Sequence, residues 1–172
     1  MGNATIGVTT LDDVRKVYGP ADQKRMTREE EANVTICYVQ ASSKGGAYLE
    51  FETGVMGGYD RLTGYRITRI APREGCSPTK ADVGALSTAN GIHLGQNVGD
   101  FRRAIPVAFD QNGQELVYKT ITKRKATPEE LKRLRARWPD EKEDHFDVTI
   151  GIRAKCRDNQ LVDLYVHKIE TY

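Results

Sequence analysis

Apolar residues recur at helical spacing near the start of each half of the chain. Residues 10–19 (TLDDVRKVYG) place an apolar stripe behind the N-cap former Thr10 and end in Gly19, which Pro20 follows. Residues 97–106 (NVGDFRRAIP) align with them without a gap, at an offset of 97 − 10 = 87 residues. This pattern predicts a short helix at each place, and the offset suggests an internal duplication.

After each of these segments, apolar and polar residues alternate, as is typical of antiparallel strands with one buried face. A capping box in residues 127–130 (TPEE) predicts a helix over 127–138 that interrupts the second set of strands. Ile150 is central in the longest alternating segment, so we expect it to be fully buried. The predicted strands cover residues 34–39, 48–52, 62–70, 114–122, 146–156 and 162–166.

The order of these elements predicts an α+β fold built of two helix-then-antiparallel-sheet repeats. The first repeat would cover residues 1–83 and the second 84–172, with 127–138 as its inserted helix. Because one helix covers only one face of such a sheet, we expect the helices to pack on one face. The opposite sheet face should then be open to water or to a partner.

Composition excludes several classes of protein. Of the 172 residues, 38% are hydrophobic and 29% are charged, and no apolar run is long enough to cross a membrane. The formal net charge of +2 gives no global field that would attract nucleic acid or anionic lipid. Any such binding would need a local patch.

Catalytic and metal-binding patterns are missing from the sequence. The three histidines, His93, His145 and His167, are scattered without ligand spacing, and no phosphate loop or nucleophile-elbow motif occurs. We therefore expect the chain not to be an enzyme, and we expect neither a cofactor nor a metal site.

A basic cluster supplies the alternative function. Residues 119–137 contain eight lysines and arginines, which could follow a phosphate backbone in a cytosolic nucleic-acid-associated protein through the basic segment 123–137. However, acidic residues 140–144 follow at once, and no aromatic residue interleaves the basic ones. A solvated charged helix explains the cluster more simply.

The best binding candidate is the polar face of the predicted sheet, because tyrosine and arginine are the residues that anchor protein interfaces. The Gly-rich segment 54–61 could add a contact loop that presents Met56 and Tyr59. The predicted partner-binding residues are Tyr48, Glu50, Tyr59, Arg66, Arg153, Lys155, Tyr165 and His167.

The cysteines leave the cellular compartment open. Cys37, Cys76 and Cys156 are an odd number, so at least one thiol is unpaired within the chain. Either all three are free, or two of them form one disulfide, with Cys76 in its Gly-Cys-Ser-Pro segment as the expected member if the protein is exported. No secretory signal is visible at the start, which fits a cytosolic protein or an exported one whose export segment is absent from this sequence.

Residues 91–106 (GIHLGQNVGDFRRAIP) resemble the opening of SmpA/OmlA (BamE)-type bacterial domains, and residues 6–20 carry the same pattern. Two such units in tandem are similar in arrangement to the β-lactamase inhibitory protein (BLIP-like) fold. The resemblance implies an exported, periplasmic or secreted module, with a lipoprotein tether to the membrane through a removed N-terminal segment as a further expectation. It also implies that the module binds a partner protein through its sheet or loops, without identifying that protein.

Overall fold

A computed structural model describes residues 4–28, 31–40, 46–54, 60–71, 75–140 and 142–171. Within them the helices are α1 (Leu11–Tyr18), α2 (Val98–Ala104) and α3 (Pro128–Arg137), and one 3-10 turn spans Val83–Ala85. The strands are β1 (Lys24–Arg28), β2 (Glu31–Gln40), β3 (Tyr48–Thr53), β4 (Leu62–Thr68), β5 (Ser77–Thr79), β6 (Asp110–Asn112), β7 (Glu115–Lys125), β8 (His145–Arg157) and β9 (Gln160–Thr171).

All of these strands belong to one mixed sheet. Its main path runs β1-β2-β3-β4-β9-β8-β7-β6 with antiparallel neighbours, and β5 lies off this path, parallel to the end of β2. Strands β4 and β9 are far apart in sequence but adjacent in the sheet, where Ile67 pairs with Leu164. Strands from both halves of the chain therefore share one ladder.

The prediction of two helix-then-antiparallel-sheet repeats with the helices on one face is wrong. The protein has a single mixed sheet that carries three short helices. The reason lies at the β4–β9 ladder, where both Ile67 and Leu164 are buried and continue one apolar layer. Closing that ladder leaves no edge between two separate sheets. The predicted division into residues 1–83 and 84–172 stays a prediction.

The predicted helix starts are confirmed, because each has the local hydrogen bonds that its sequence encodes. The Thr10 hydroxyl accepts from the Asp13 backbone N–H while the Asp13 carboxylate accepts from the Thr10 N–H. Asn97 caps α2 through its side-chain oxygen. Thr127 and Glu130 form the same reciprocal box at the start of α3.

The main hydrophobic core lies against one side of the sheet. Tyr18 of α1 packs on Phe51 of β3 with ring centroids 5.6 Å apart, and Phe101 of α2 is fully buried in the same cluster. Val17 of α1 and Trp138, the residue after α3, are exposed although the sequence pattern places both on the apolar faces of their predicted helices. The last turn of a short helix has too little neighbouring sheet to cover both of its sides.

Ile150 is only partly buried, so the prediction that it would be fully buried is wrong. Its ladder partners are Thr120 and Lys168, which add little apolar cover. Four residues further along β8, Ala154 lies between Leu116 and Leu164 and is fully buried. Strand alternation identified the correct side of the sheet, but the composition of neighbouring strands sets the depth.

Candidate partner-binding face

The sheet side opposite the main core is called the polar face here. Its centre is a row of side chains that ladder pairing aligns across β3, β4, β9 and β8. The neighbouring row on one side holds Tyr48 and Lys155, and the neighbouring row on the other side holds His167. Seven of the eight predicted residues thus share this face, while Tyr59 lies outside the described residues. The central row consists of Glu50, Arg66, Tyr165 and Arg153.

Arg66 is held in place by two carboxylates. Its Nε donates to Asp163 Oδ1 at 2.6 Å, and its Nη1 lies 3.7 Å from Glu50 Oε2. The residue Asp163 is only 1% exposed although it is charged, which makes the Arg66 guanidinium its necessary counter-ion. One side of the guanidinium is therefore fixed by the protein itself, which orients the group at low entropic cost.

Tyr165 is fixed in the same way from its hydroxyl end. Its Oη donates to Glu52 Oε1 at 2.5 Å, and its ring lies 5.1 Å from the imidazole of His167. Burial raises the pKa of Glu52, with a smaller contribution from Glu50, while the bond from Tyr165 opposes the rise. Burial and then the Glu52 charge raise the pKa of Tyr165. Sequence reasoning did not select Glu52, although its alternation with Glu50 places it on this face.

Two glycines make room for these side chains. A Cβ at Gly64 would collide with the Glu52 carboxyl, and a Cβ at Gly151 would collide with the His167 ring. In the ladders, Gly64 pairs with Glu52 and with His167, and His167 also pairs with Gly151. The absence of side chains at both positions lets Glu52 and His167 lie across the neighbouring strands instead of projecting outward.

His167 has an unusual environment for a histidine. Its Nδ1 atom is buried and has no hydrogen-bond partner among the described residues. Burial lowers the pKa of the imidazole, and the positive charges of Arg153 and Lys119 lower it further. The neutral ring is therefore the favoured form in the folded protein.

The central row and Glu52 line a depression of about 640 Å³ on the polar face. Its lining carries both signs of charge and includes the side chain of Tyr165, which suits polar contacts more than a purely apolar ligand. Arg153 is exposed, with 57% of its side chain accessible and its Nε 3.4 Å from Glu115 Oε1. The lining residues are Thr35, Glu50, Phe51, Glu52, Tyr65, Arg66, Ala71, Arg153, Lys155, Asp163 and Tyr165.

The basic segment 123–137 is divided by the fold. Arg124 donates to Glu130 of α3 and to Glu170 of β9, at 3.0 Å and 2.6 Å, and its guanidinium stacks over Phe146. The hydrogen bond from Arg124 lowers the pKa of Glu130 to about 2. Arg124 therefore joins α3 to the sheet. The exposed cations Lys132, Arg133 and Arg135 remain on α3.

Cys37 forms a disulfide with Cys76, and Cys156 is a free thiol. This pairing resolves the question that the sequence left open, and it ties β2 to the segment before β5 over a separation of 39 residues. In the described parts of the chain, no group of three or more metal-ligating side chains occurs. None of the described helices has the length and apolar character needed to cross a bilayer.

Comparisons of the chain with protein-family models, with curated proteins and with solved structures find no match. The resemblance of residues 6–20 and 91–106 to BamE-type domains therefore rests on those residues alone. The polar face must be interpreted from its own geometry.

Proposed function

We propose that this chain is a non-enzymatic module that binds a partner protein through its polar face and the adjoining loops. The observation that supports the proposal most directly is the pair Arg66 and Tyr165. Both are interface-anchoring residue types, they are paired in the ladder, and carboxylates already orient them at an accessible depression. Side chains that are fixed before binding lose little conformational entropy when a partner docks.

A binding role explains the perturbed groups better than a catalytic one does. Burial is the main cause of the raised pKa values of Glu52 and Tyr165, and the Tyr165 hydroxyl already donates its hydrogen to Glu52. An acid–base catalyst needs such a proton to be available to a substrate. The two groups therefore serve as a structural pair that positions an aromatic ring.

An exported location is part of the same proposal. Structural disulfides persist in oxidising compartments and are rare in the cytosol, and the Cys37–Cys76 bond supports a periplasmic or secreted protein. The similarity to BamE-type lipoprotein domains points in the same direction and stays a prediction. A nucleic-acid role is less well supported, because Arg124 is neutralised by Glu130 and Glu170.

Site-specific photo-crosslinking tests the proposal. A benzophenone amino acid replaces Tyr48 or Lys155 on the polar face, and Lys132 or Arg133 on α3 in matched control variants. Irradiation in the cells that make the protein should give one common adduct from both polar-face positions and none from α3. The adduct partner is then purified, and Arg153→Glu should weaken its affinity by about tenfold or more. The proposal would be refuted if adducts formed only at the α3 positions, or if neither polar-face position gave an adduct.

A further inference from the structure

The half of the polar face formed by β7 and β8 is rich in unpaired positive charge. Ladder alternation places Lys119 and Lys123 of β7 on this side, next to Arg153 and Lys155 of β8. We call these four residues the basic strip. Among the described residues, an ion pair within 4.0 Å joins only Arg153 of the four to a carboxylate, that of Glu115. Lys125 of β7 lies on the same side, as do Asp110, Glu115 and Asp147, so five cations of β7 and β8 stand against three acids of β6, β7 and β8. Asp163 of β9, the ladder partner of Lys155, is bound by Arg66.

The electrostatic field of this strip acts on the neighbouring side chain of His167. The pKa of His167 is lowered by burial first and then by Arg153 and Lys119, which lie on different strands. Their charges therefore converge on the region above Gly151. In contrast, the β3–β4 side of the face carries Glu50 and Glu52, and its cation Arg66 contacts both Glu50 and Asp163. The polar face has two electrically different halves.

Two exposed isoleucines lie in and beside the basic half, on β7 and β9. Ile121 and Ile169 pair with Thr149 from opposite sides, so all three occupy one row of the polar face. Ile121 is 58% exposed and Ile169 is 38% exposed. Adjacent strands are about 4.8 Å apart, which places the two side chains roughly 10 Å from each other. This spacing suits two apolar side chains of one partner segment.

We propose that the basic half of the polar face docks an acidic segment of a partner protein, with carboxylates over the basic strip and apolar side chains on Ile121 and Ile169. An acidic partner is favoured because its charge complements the basic strip. A protein is favoured over a nucleic acid because a phosphate backbone has no apolar group that would cover the two isoleucines. The inference rests on the proposed function and specifies the chemistry of the partner.

Designed peptides test this without knowledge of the natural partner. In an extended chain, side chains alternate sides, so repeats of Glu-Gly-Leu-Gly present Glu and Leu on one side. A labelled peptide of about ten residues spans roughly 33 Å, enough to cross the strip. Its affinity is measured by fluorescence anisotropy beside peptides with Lys in place of Glu or Ser in place of Leu, and beside a short single-stranded DNA.

The Glu–Leu peptide should bind at least about tenfold more tightly than either peptide control or the DNA. Raising NaCl from about 0.1 M to about 1 M, which shortens the screening length from about 10 Å to about 3 Å, should weaken it. Lys119→Glu with Lys155→Glu should weaken binding by about tenfold, and Ile121→Ser by a smaller factor. The matched variant Lys132→Glu on α3 should leave the affinity unchanged.

Equal affinity for the Glu and Lys peptides, tighter binding of the DNA, or no binding of the Glu–Leu peptide would overturn this inference. The proposed function is judged separately by the photo-crosslinks. The photo-crosslinks at positions 48 and 155 could give the common adduct while charge reversal at Lys119 and Lys155 leaves the affinity for the crosslinked partner unchanged. In that case the polar face binds protein but not an acidic segment. If no polar-face adduct forms, the proposed function itself fails.

Discussion

The imidazole of His167 lies over Gly151, its ladder partner on the neighbouring strand, in the space that a side chain at position 151 would need. The two residues therefore function as one packing unit. The ring covers backbone that glycine leaves bare, and glycine allows the ring to lie flat beside Tyr165. Neither residue can be changed without affecting the other.

Gly151→Ala should destabilise the protein by about 1–3 kcal/mol, because the new methyl group occupies the place of the ring. Chemical denaturation with tryptophan and tyrosine fluorescence measures the change in unfolding free energy. The matched control is Gly84→Ala, where a Cβ meets nothing closer than 3.5 Å and the backbone needs no positive φ. That variant should differ from the unchanged protein by less than about 0.5 kcal/mol.

The double variant Gly151→Ala with His167→Ala separates this packing effect from a general intolerance at position 151. Removing the ring should relieve the collision, so the two changes together should cost less than the sum of the single losses. Strictly additive losses would contradict the contact.

Arg66→Met should destabilise the protein by about 3 kcal/mol, because it leaves the buried carboxylate of Asp163 without its counter-ion. Arg153→Met provides the control in the same row, since its partner Glu115 lies in an exposed pair worth less than about 1 kcal/mol. Urea denaturation gives both values. Adding Asp163→Leu to Arg66→Met should recover part of the loss, and equal losses for the two arginine variants would refute the assigned difference.

Local sequence rules predicted the helix starts and the side of the sheet on which most strand residues lie. The caps at Thr10, Asn97 and Thr127 follow from interactions within four residues, so the sequence contains everything that is needed. The same holds for the polar-face position of Arg66 and Tyr165, since alternation has a fixed period of two. Both residues were selected without knowledge of strand order.

The pairing of strands that are far apart in the chain could not be predicted from such local patterns. The contact of β4 with β9 joins Ile67 to Leu164, 97 residues apart, and no turn signal links them. The sheet order in turn sets the depth of burial, which is why Ile150 beside Thr120 and Lys168 is only partly covered. The role of Glu52 was missed for a related reason, because its bond to Tyr165 crosses strands that only the fold brings together.

Reduction of the Cys37–Cys76 bond should lower the unfolding free energy by about 2–4 kcal/mol, since the link closes a loop with a sequence separation of 39 residues. Thermal denaturation with and without dithiothreitol measures the effect. The double variant Cys37→Ser with Cys76→Ser should be less stable and insensitive to dithiothreitol, whereas Cys156→Ser should keep the full sensitivity. An unchanged melting temperature on reduction of the unmodified protein would contradict a stabilising disulfide.

The lowered pKa of His167 predicts a pH dependence of stability. Burial, Arg153 and Lys119 all disfavour the protonated ring in the folded state, whereas an unfolded histidine titrates near pH ~6.5. Between the lowered value and ~6.5 the unfolded chain binds more protons, so the unfolding free energy rises with pH across that window. This contribution is complete above ~6.5 and is lost as the pH falls through the folded pKa. Heteronuclear NMR of the ring during a pH titration reads the folded value directly.

Two variants decide whether the neighbouring cations cause part of this shift. Arg153→Met removes one of them, so the His167 pKa should move upward toward its ordinary value. The stability loss below pH ~6.5 should then be smaller and should be complete at a higher pH. Arg133→Met, on α3, removes the same charge away from the polar face and should leave the titration unchanged. Tyr165 lies beside the ring, and Glu52 lies in the row of His167 with Gly64 between them. If the Glu52 carboxylate opposes the cations, Glu52→Gln should lower the His167 pKa further. Two results would show that the positive field at the polar face is too weak to act on His167. One is a His167 pKa at or above ~6.5 in the unchanged protein, and the other is a His167 pKa that Arg153→Met does not change.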